Sequence, residues 1–563
     1  MSSPMAALLL LSGIFLLLLL PTAAPSHCYL AKKEECRDHQ QFVPGSWLAG
    51  EGLNVITLQR SGSFPVDTQR YLNRDGSCTL CFNDLQQGTL QRLPLALINW
   101  RAQATGCQRK TVKAQVSSKD EVAKDVANSV NNDWRLGLDL GKLVNTANPV
   151  SVQLSVAGSD SKIAKFANEK ASQDQYVFTS DKIECLFYSS HLVHDPPLQL
   201  DFRKAVHSLP PYYNSYSQWK YERIISNYGT HIIRSMQLGG RITTVTALRT
   251  CELALKGLKA NEVAQCLGIE LNIGGKGSHS AEFKHCEELK QQLQMGSSFH
   301  HDYQERYTEI IGGNHSFMHE LLFSEQTEVD QFKIWANTLP YSPGIVQYTL
   351  EPLHVLLKKG DPRRKTLRKA VSKYILSRTH WKDCSQPCAT GQYKKPNNPC
   401  ECACYGSPVS TQDCCPRQRG LAHLVVMNFV ARDLWGDPSN PTDAYLKIKY
   451  GNQELRVGIV WNNDNPKWMT EVDFGNVMLP SGGALTVEVW DADDGWNDDL
   501  LGMCERTPMS GTHEVKCILD HGELRFFYHI QCLPHLAGPS CTDYAPSQSP
   551  QAPPMNHSVI YKV

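Results

Sequence analysis

Apolar and polar residues follow four different patterns along this 563-residue chain. Residues 6–20 are almost wholly apolar and run into Pro21-Thr22-Ala23-Ala24. A membrane span needs roughly 18 or more such residues, so this run predicts a signal-peptide core with cleavage after Ala24 or close by. A signal anchor is the rival reading, and the absence of Lys or Arg ahead of the run weakens the leader pattern slightly. No later apolar run reaches spanning length, so the mature chain is expected to be secreted in soluble form.

The second pattern is strict alternation. Trp134, Leu136, Leu138 and Leu140 alternate along one stretch. Val150, Val152, Leu154 and Val156 alternate with Ser151, Gln153, Ser155 and Ala157. Leu267, Ile269, Leu271 and Ile273 alternate with Gly268, Glu270, Asn272 and Gly274. Period two predicts strands with one apolar face. Helical patterns follow, over 160–173 with Ile163, Phe166 and Ala167 on one face, and over 278–295, rich in Glu and Lys. A half-buried sheet packed by helices satisfies all of this. The alternation also suits a transmembrane β-strand, which needs about ten residues of it, and a barrel could then close only from many subunits in a ring.

The third pattern begins near 420. Short alternating strands at 422–429, 445–450 and 485–490 are separated by Asp, Asn, Pro and Gly, the texture of a β-sandwich. The fourth, from about 542, is rich in Pro, Ser and Gln and predicts a loose tail. Asn314-His-Ser and Asn556-His-Ser are glycosylation sequons.

Composition narrows the classes. Hydrophobic residues are 41% and charged residues 20%, as in packed globular protein, and the length suggests three or four domains at about 150 residues each. Fifty-six basic residues balance fifty-six acidic ones, which argues against a nucleic-acid binder. There are 20 cysteines. Behind a leader peptide they imply disulfides. Cys384, Cys388, Cys400, Cys402, Cys404, Cys414 and Cys415 crowd a segment too short to build its own core, where zinc is the rival. Cys504, Cys517, Cys532 and Cys541 are further disulfide candidates.

Carboxylates concentrate in two loops of the sandwich region. One holds Asp437 and Asp443; the other holds Asp491, Asp493, Asp494, Asp498 and Asp499. Such density repels unless solvated or neutralised, and calcium takes six to eight oxygen ligands of this kind. A solvated acidic surface is the alternative, and an EF-hand is excluded by the missing closing Glu and helical flanks. Trp435 and Trp496 share these loops, and Trp suits a membrane interface.

Three resemblances join these segments. The spacings Asp437-x5-Asp443 and Asp491-x-Asp493-x5-Asp499, with Asn465-Pro-Lys-Trp468 between them, resemble a C2 domain. The cysteine spacing in 384–415 resembles an EGF-like module. Tyr228-Gly229-Thr230-His231, followed by Gly239-Gly240, resembles the signature of the membrane-attack-complex/perforin family, with Ile232 where that family prefers an aromatic residue. Without the resemblance, His231 would be a candidate catalytic base and the glycine pair a turn or bulge.

The resemblance implies an α+β multidomain chain: a bent antiparallel sheet flanked by helical clusters, as in cholesterol-dependent cytolysins, then the EGF-like module and a C2 β-sandwich. The expected boundaries are a signal peptide at 1–24, a pore-forming domain at 25–378, the EGF-like module at 379–416, the C2 domain at 417–541 and a flexible tail at 542–563. The implied pairings are Cys384–Cys400, Cys388–Cys402 and Cys404–Cys414, with Cys415 left to reach upstream, Cys251 being its candidate.

The function it implies is calcium-dependent pore formation. Asp437, Asp443, Asp491, Asp493, Asp498 and Asp499 would hold Ca2+, Trp435 and Trp496 would enter phospholipid, and Arg223 and Glu351 would pair between subunits. Copies would assemble into arcs and rings, two helical clusters would become membrane-spanning hairpins, and granule serine proteases would pass as cargo. Storage would be in acidic secretory granules and action at a target plasma membrane, with a glycan at Asn556 hindering assembly until the tail is trimmed. The alternative is a secreted, calcium-dependent lipid-binding adhesion or scaffold protein without pore activity. An enzyme is not expected: His319-Glu-Leu-Leu-Phe323 lacks the second His of a zinc protease, Lys276 lacks the rest of a phosphate loop, and no G-x-S-x-G elbow is present.

Overall fold

Two long antiparallel strands, β1 (Tyr176–Leu192) and β2 (His231–Arg249), organise the larger part of the molecule. Their register runs from Ser235↔His191 to Arg249↔Tyr176. The computed structural model describes residues 27–111, 119–140, 152–154, 157–270, 281–295, 298–314, 328–378, 381–383, 387–388, 392–396, 398–436, 438, 440–493 and 497–547. β2 is rich in Ile, Val and Thr, whose branched side chains suit a pleated surface. On its other edge it takes β3 (Arg306–Ile311) and β4 (Gly344–Pro352). Shorter strands complete an eight-stranded sheet.

Helices lie over this sheet. α1 (Lys119–Ala127) and α2 (Lys162–Gln173) bury Val122, Ile163 and Ala167 against Phe178, Val245 and Ala247. Ser161 caps α2 by accepting the Ala164 N–H at 3.2 Å. α3 (Gln218–Tyr228) leads into β2. α4 (Ala260–Glu270) and α5 (Ala281–Gln292) form a second cluster, tied by Cys266–Cys286, with Leu248, Val263, Leu267 and Phe299 inside it. α6 (Glu328–Thr338) places Trp335 against Ile183 and Ile242. α7 (Pro362–Arg378) packs Leu367, Val371 and Ile375 into the main core beyond.

Two expectations from alternation, and one about the tail, need correction. Residues 134–140 form turns rather than a strand. Asp133 accepts the Arg135 N–H and binds its guanidinium, Gly137 has φ 82°, and Leu136 is 68% exposed while Leu140 is buried. Residues 267–270 are the last turn of α4, where Val263, Cys266 and Leu267 are buried at helical spacing. Leu271 and Ile273 lie outside the described residues. Of the 150–157 run, Val152–Leu154 is a strand paired with Trp381–Asp383, while Val150 and Val156 lie outside them. The third correction concerns the tail. Its first residues are pinned: Asp543–Tyr544 pairs with Leu536–Ala537, and the Tyr544 hydroxyl and Ser547 N–H donate to buried Asp174 at 2.6 and 3.0 Å.

A small hairpin of Gln392–Lys395 and Asn398–Cys404 carries Cys388–Cys402 and Cys404–Cys414, and Cys251–Cys415 ties it to the first domain. Cys384 lies outside the described residues. Beyond it stands a two-sheet sandwich. One sheet centres on β5 (Leu421–Arg432), with β9 (Gly511–Leu519) and β10 (Gly522–Cys532); the other holds β6 (Ala444–Tyr450), β7 (Leu485–Asp491) and β8 (Asp499–Arg506). Leu424, Val426, Phe429, Leu446, Val487 and Phe526 fill the space between them as one apolar core. Cys504–Cys517 and Cys532–Cys541 staple its later strands.

Candidate functional site

Strand pairing brings the acidic residues together at one end of the sandwich. β6 and β7 pair with Ala444 opposite Asp491, and β7 and β8 pair with Asp491 opposite Asp499. Asp443 precedes β6, so it meets Asp491 across the ladder: Asp491 Oδ1 accepts the Asp443 N–H at 2.7 Å. Asp443 Oδ1 in turn accepts the Asn462 N–H at 2.6 Å. Asp498 accepts the Tyr445 hydroxyl at 2.7 Å and the Asp493 N–H at 3.3 Å. The Tyr445 hydrogen bond holds the Asp498 carboxyl below its usual range despite partial desolvation. Asp491 is only 4% exposed, although the sequence alone puts it in a loop.

Gly436 lies against this cluster. A Cβ there would run into the Asp491 carboxylate, so only glycine lets the first loop approach so closely. Asp437, Asp494 and Trp496 lie outside the described residues. Among the described residues no three acidic, His or Cys side chains already form a metal cage. The donor set still fits calcium in kind: hard carboxylate oxygens sit at neighbouring strand ends, and backbone N–H groups orient Asp443, Asp491 and Asp498.

Two tryptophans stand out at this end. Trp435 is 57% exposed, with its ring 4.4 Å from that of His521 and its carbonyl hydrogen-bonded to His521 Nδ1. Trp461 is 64% exposed and was not evident as a site residue in the sequence. It belongs to a third loop, held to the others by Asn462 on Asp443 and by Asp464, which accepts from the Thr442 N–H and hydroxyl. The signal that could have found it is a Trp directly ahead of the polar run Asn462-Asn-Asp-Asn465.

The Tyr228–His231 motif forms the joint between α3 and β2. Tyr228 packs edge-on against Phe202, and Gly229 ends the helix at φ 79°. Thr230 and His231 are fully buried. The Thr230 hydroxyl accepts the Val55 N–H at 3.0 Å and lies 2.9 Å from His231 Nδ1. His231 Nε2 sits 2.9 Å from the Trp134 carbonyl, so Nε2 carries the proton and Nδ1 accepts from Thr230. Burial pushes the His231 pKa down to about 4, which leaves a neutral, enclosed imidazole unsuited to act as a catalytic base. Farther along β2, register shifts against both β1 and β4 fall at residues 237–239. A Cβ on Gly239 would meet the Cys185 carbonyl, and one on Gly240 the Trp335 ring. The bend therefore needs the glycine pair.

Arg223 is exposed on α3, and Glu351 lies 3.7 Å from Arg234 of the same chain. Asn314 is exposed, with its backbone N–H on Thr338. Asn556 lies outside the described residues.

Comparisons with known proteins agree along the chain. A family model described as the MAC/Perforin domain matches residues 44–383, one described as Perforin-1-like, EGF domain matches 383–417, and a C2 domain model matches 422–517. Perforin-1 of Homo sapiens is 56% identical over 557 residues, covering 98% of this chain and 99% of that protein. Perforin-1 of Mus musculus is 53% identical over 556 residues, covering 98% and 99%. Complement component C8 alpha chain of Oryctolagus cuniculus is 23% identical over 379 residues, covering 62% and 61%.

Proposed function

This chain belongs to the membrane-attack-complex/perforin family of calcium-dependent pore-forming cytolytic proteins, and on that premise we propose that the sandwich docks the molecule on a phospholipid surface while the two helical clusters leave the sheet to form the pore. The observation that carries this reading is that strand pairing places Asp443, Asp491, Asp493 and Asp498 at the same end of the sandwich as the exposed Trp435 and Trp461.

Asp437, Asp443, Asp491, Asp493, Asp498 and Asp499 would hold the calcium. Bound there, it supplies the positive charge that offsets the carboxylates and makes the loop tips compatible with anionic head groups. Trp435 and Trp461, with Trp496 on the same loop as Asp494, then insert at the interface. Ionised Asp is required for binding, so affinity falls at acid pH, in keeping with a molecule silent in an acidic granule.

Above the membrane, the bend at Gly239-Gly240 lets the sheet open as α1 with α2, and α4 with α5, come away. Copies of this chain would supply the remaining strands of a barrel, with Arg223 and Glu351 meeting between neighbours after Glu351 exchanges Arg234 for its new partner. Passage of granule serine proteases through the pore, and trimming of the tail that carries Asn556, belong to the same reading. The boundaries that fit it are a leader at 1–24, the pore-forming domain to 378, the EGF-like module to 416 and the C2 domain to 541.

Vesicle sedimentation tests the docking step. Trp435→Ala and Trp461→Ala are each expected to weaken calcium-dependent binding by about five-fold or more, since partial burial of one large side chain contributes about 1–2 kcal/mol. Unchanged binding in both would remove these loops from the membrane contact.

A further inference from the structure

Between the central sheet and the first helical pair lies a cavity of about 640 Å3, within the range of sites that bury a drug-sized ligand. Leu53, Ile233, Ile345 and Tyr348 wall it on the sheet side, and Val126 and Ile163 on the helix side. Its polar groups are unusual for an interior. Arg241 is buried; one guanidinium nitrogen donates to the Val346 carbonyl at 3.0 Å and another lies 3.4 Å from Glu309, but among the described residues its Nε has no hydrogen-bond partner. Glu51 is 3% exposed; one carboxylate oxygen accepts the Gly62 N–H, and the other lies 3.4 Å from Arg60 and makes no hydrogen bond among the described residues. Lys162 stands at the rim.

Three cations, Arg60, Arg241 and Lys162, thus face two carboxylates, Glu51 and Glu309. Burial pushes the Glu51 carboxyl up, toward its neutral form, which widens the positive excess. A chamber with apolar walls, a surplus cation and Arg241 in its lining suits an apolar body with one anionic head.

We propose that this cavity is a binding site for an amphipathic monocarboxylate of the fatty-acid type, with its head on Arg241 and its chain between the sheet and α1–α2. A ligand that touches both walls binds only while the helices are in place. It therefore stabilises the closed form by mass action and opposes pore formation. The binding itself stands apart from the proposed release of the helices; only the inhibition rests on that reading.

The test uses the full chain in solution, without calcium or vesicles, and the fluorescent probe dansyl-undecanoic acid. The expected result is saturable binding of one probe per chain. The methyl ester of the probe should bind at least ten-fold more weakly, as should the free acid to Arg241→Gln and to Val126→Trp, which fills the chamber from the helix side. Unfolding midpoints identify variants that remain folded, and if Arg241→Gln does not fold, the ester and Val126→Trp decide the matter. Equal binding of acid and ester, or equal binding to Val126→Trp and the unaltered chain, overturns the site. With the probe at ten times its Kd, calcium-triggered dye release should slow about ten-fold. Undiminished release from probe-saturated chains overturns the inhibitory role while leaving the binding result to stand on its own.

Discussion

The sandwich and the helix-covered stretch of the long sheet bury their side chains in different ways. In the C2 sandwich, Leu424, Val426, Phe429, Leu446, Val487 and Phe526 belong to one continuous apolar core. Under α1–α2, α4–α5 and α6 the apolar contacts of the pore-forming domain form three smaller clusters around Val245, Leu248 and Trp335, apart from the continuous main core that α7 helps to fill. Between them β2 buries Arg241, Thr243, Thr244 and Thr246, and a cavity remains. Continuous apolar packing resists parting, because every exposed Å2 costs about 25 cal/mol. An interface with buried hydroxyls and a void loses less on opening, and its Thr-rich strand can present the same residues to water. On the proposed reading, the sandwich stays folded while the helix-covered sheet is uncovered.

The largest effect that would sharpen this contrast is Phe429→Ala. Phe429 is fully buried in the sandwich, so truncation should cost about 3–5 kcal/mol, lower the unfolding midpoint of that domain and abolish calcium-dependent vesicle binding. An unchanged midpoint would show that the sandwich core is not the rigid element described.

Acid comes next. Burial pushes both His231 and His354 down to about 4, and both lie in the pore-forming domain. A folded-state pKa below the unfolded value of about 6.5 means that the folded form holds fewer protons. Their stabilisation is fully present above about pH 6.5 and is lost as the pH falls toward 4, by at most roughly 3 kcal/mol for each histidine. Calorimetry between pH 7 and 4.5 should show the unfolding midpoint of this domain falling, with a shallower slope in His354→Gln. A flat profile would break the assignment of acid sensitivity to this end of the molecule.

The smallest effect has the opposite functional sign. Ile163 packs α2 on the sheet, and Ile163→Val should cost only about 0.5–1.5 kcal/mol. That loss falls on the closed form, so dye release per bound molecule should quicken, by up to about ten-fold. Slower release with normal binding would mean that α2 does not have to leave.

Much of this was legible in the sequence because it is local. The spacing of Asp437 to Asp443 and of Asp491 to Asp499, the Tyr228–His231 motif with its glycine pair, and the cysteine spacing of the small module all lie within short windows. The sandwich strands were legible because one face is buried and the other wet, which gives clean alternation. Alternation misled where burial did not follow strand geometry: Trp134 to Leu140 turn to place the Trp134 carbonyl on His231, and Leu267 serves a helix tied by Cys266–Cys286. Other features depend on distant partners and leave no local trace. Trp461 joins the acidic end through Asn462 and Asp443, and Asp174 pins residues 544–547 from 370 positions away in the case of Tyr544. The cavity likewise draws on segments from Leu53 to Tyr348.

The central claim is that docking through the acidic loops precedes pore formation by the helices. Dye release from phospholipid vesicles, measured with and without calcium on the unaltered chain and on Asp491→Asn combined with Asp493→Asn, tests it most directly. Rapid, calcium-dependent release is expected from the first and none from the second at the same calcium concentration, with both chains folded. Leakage that persists in the doubly substituted chain would contradict it.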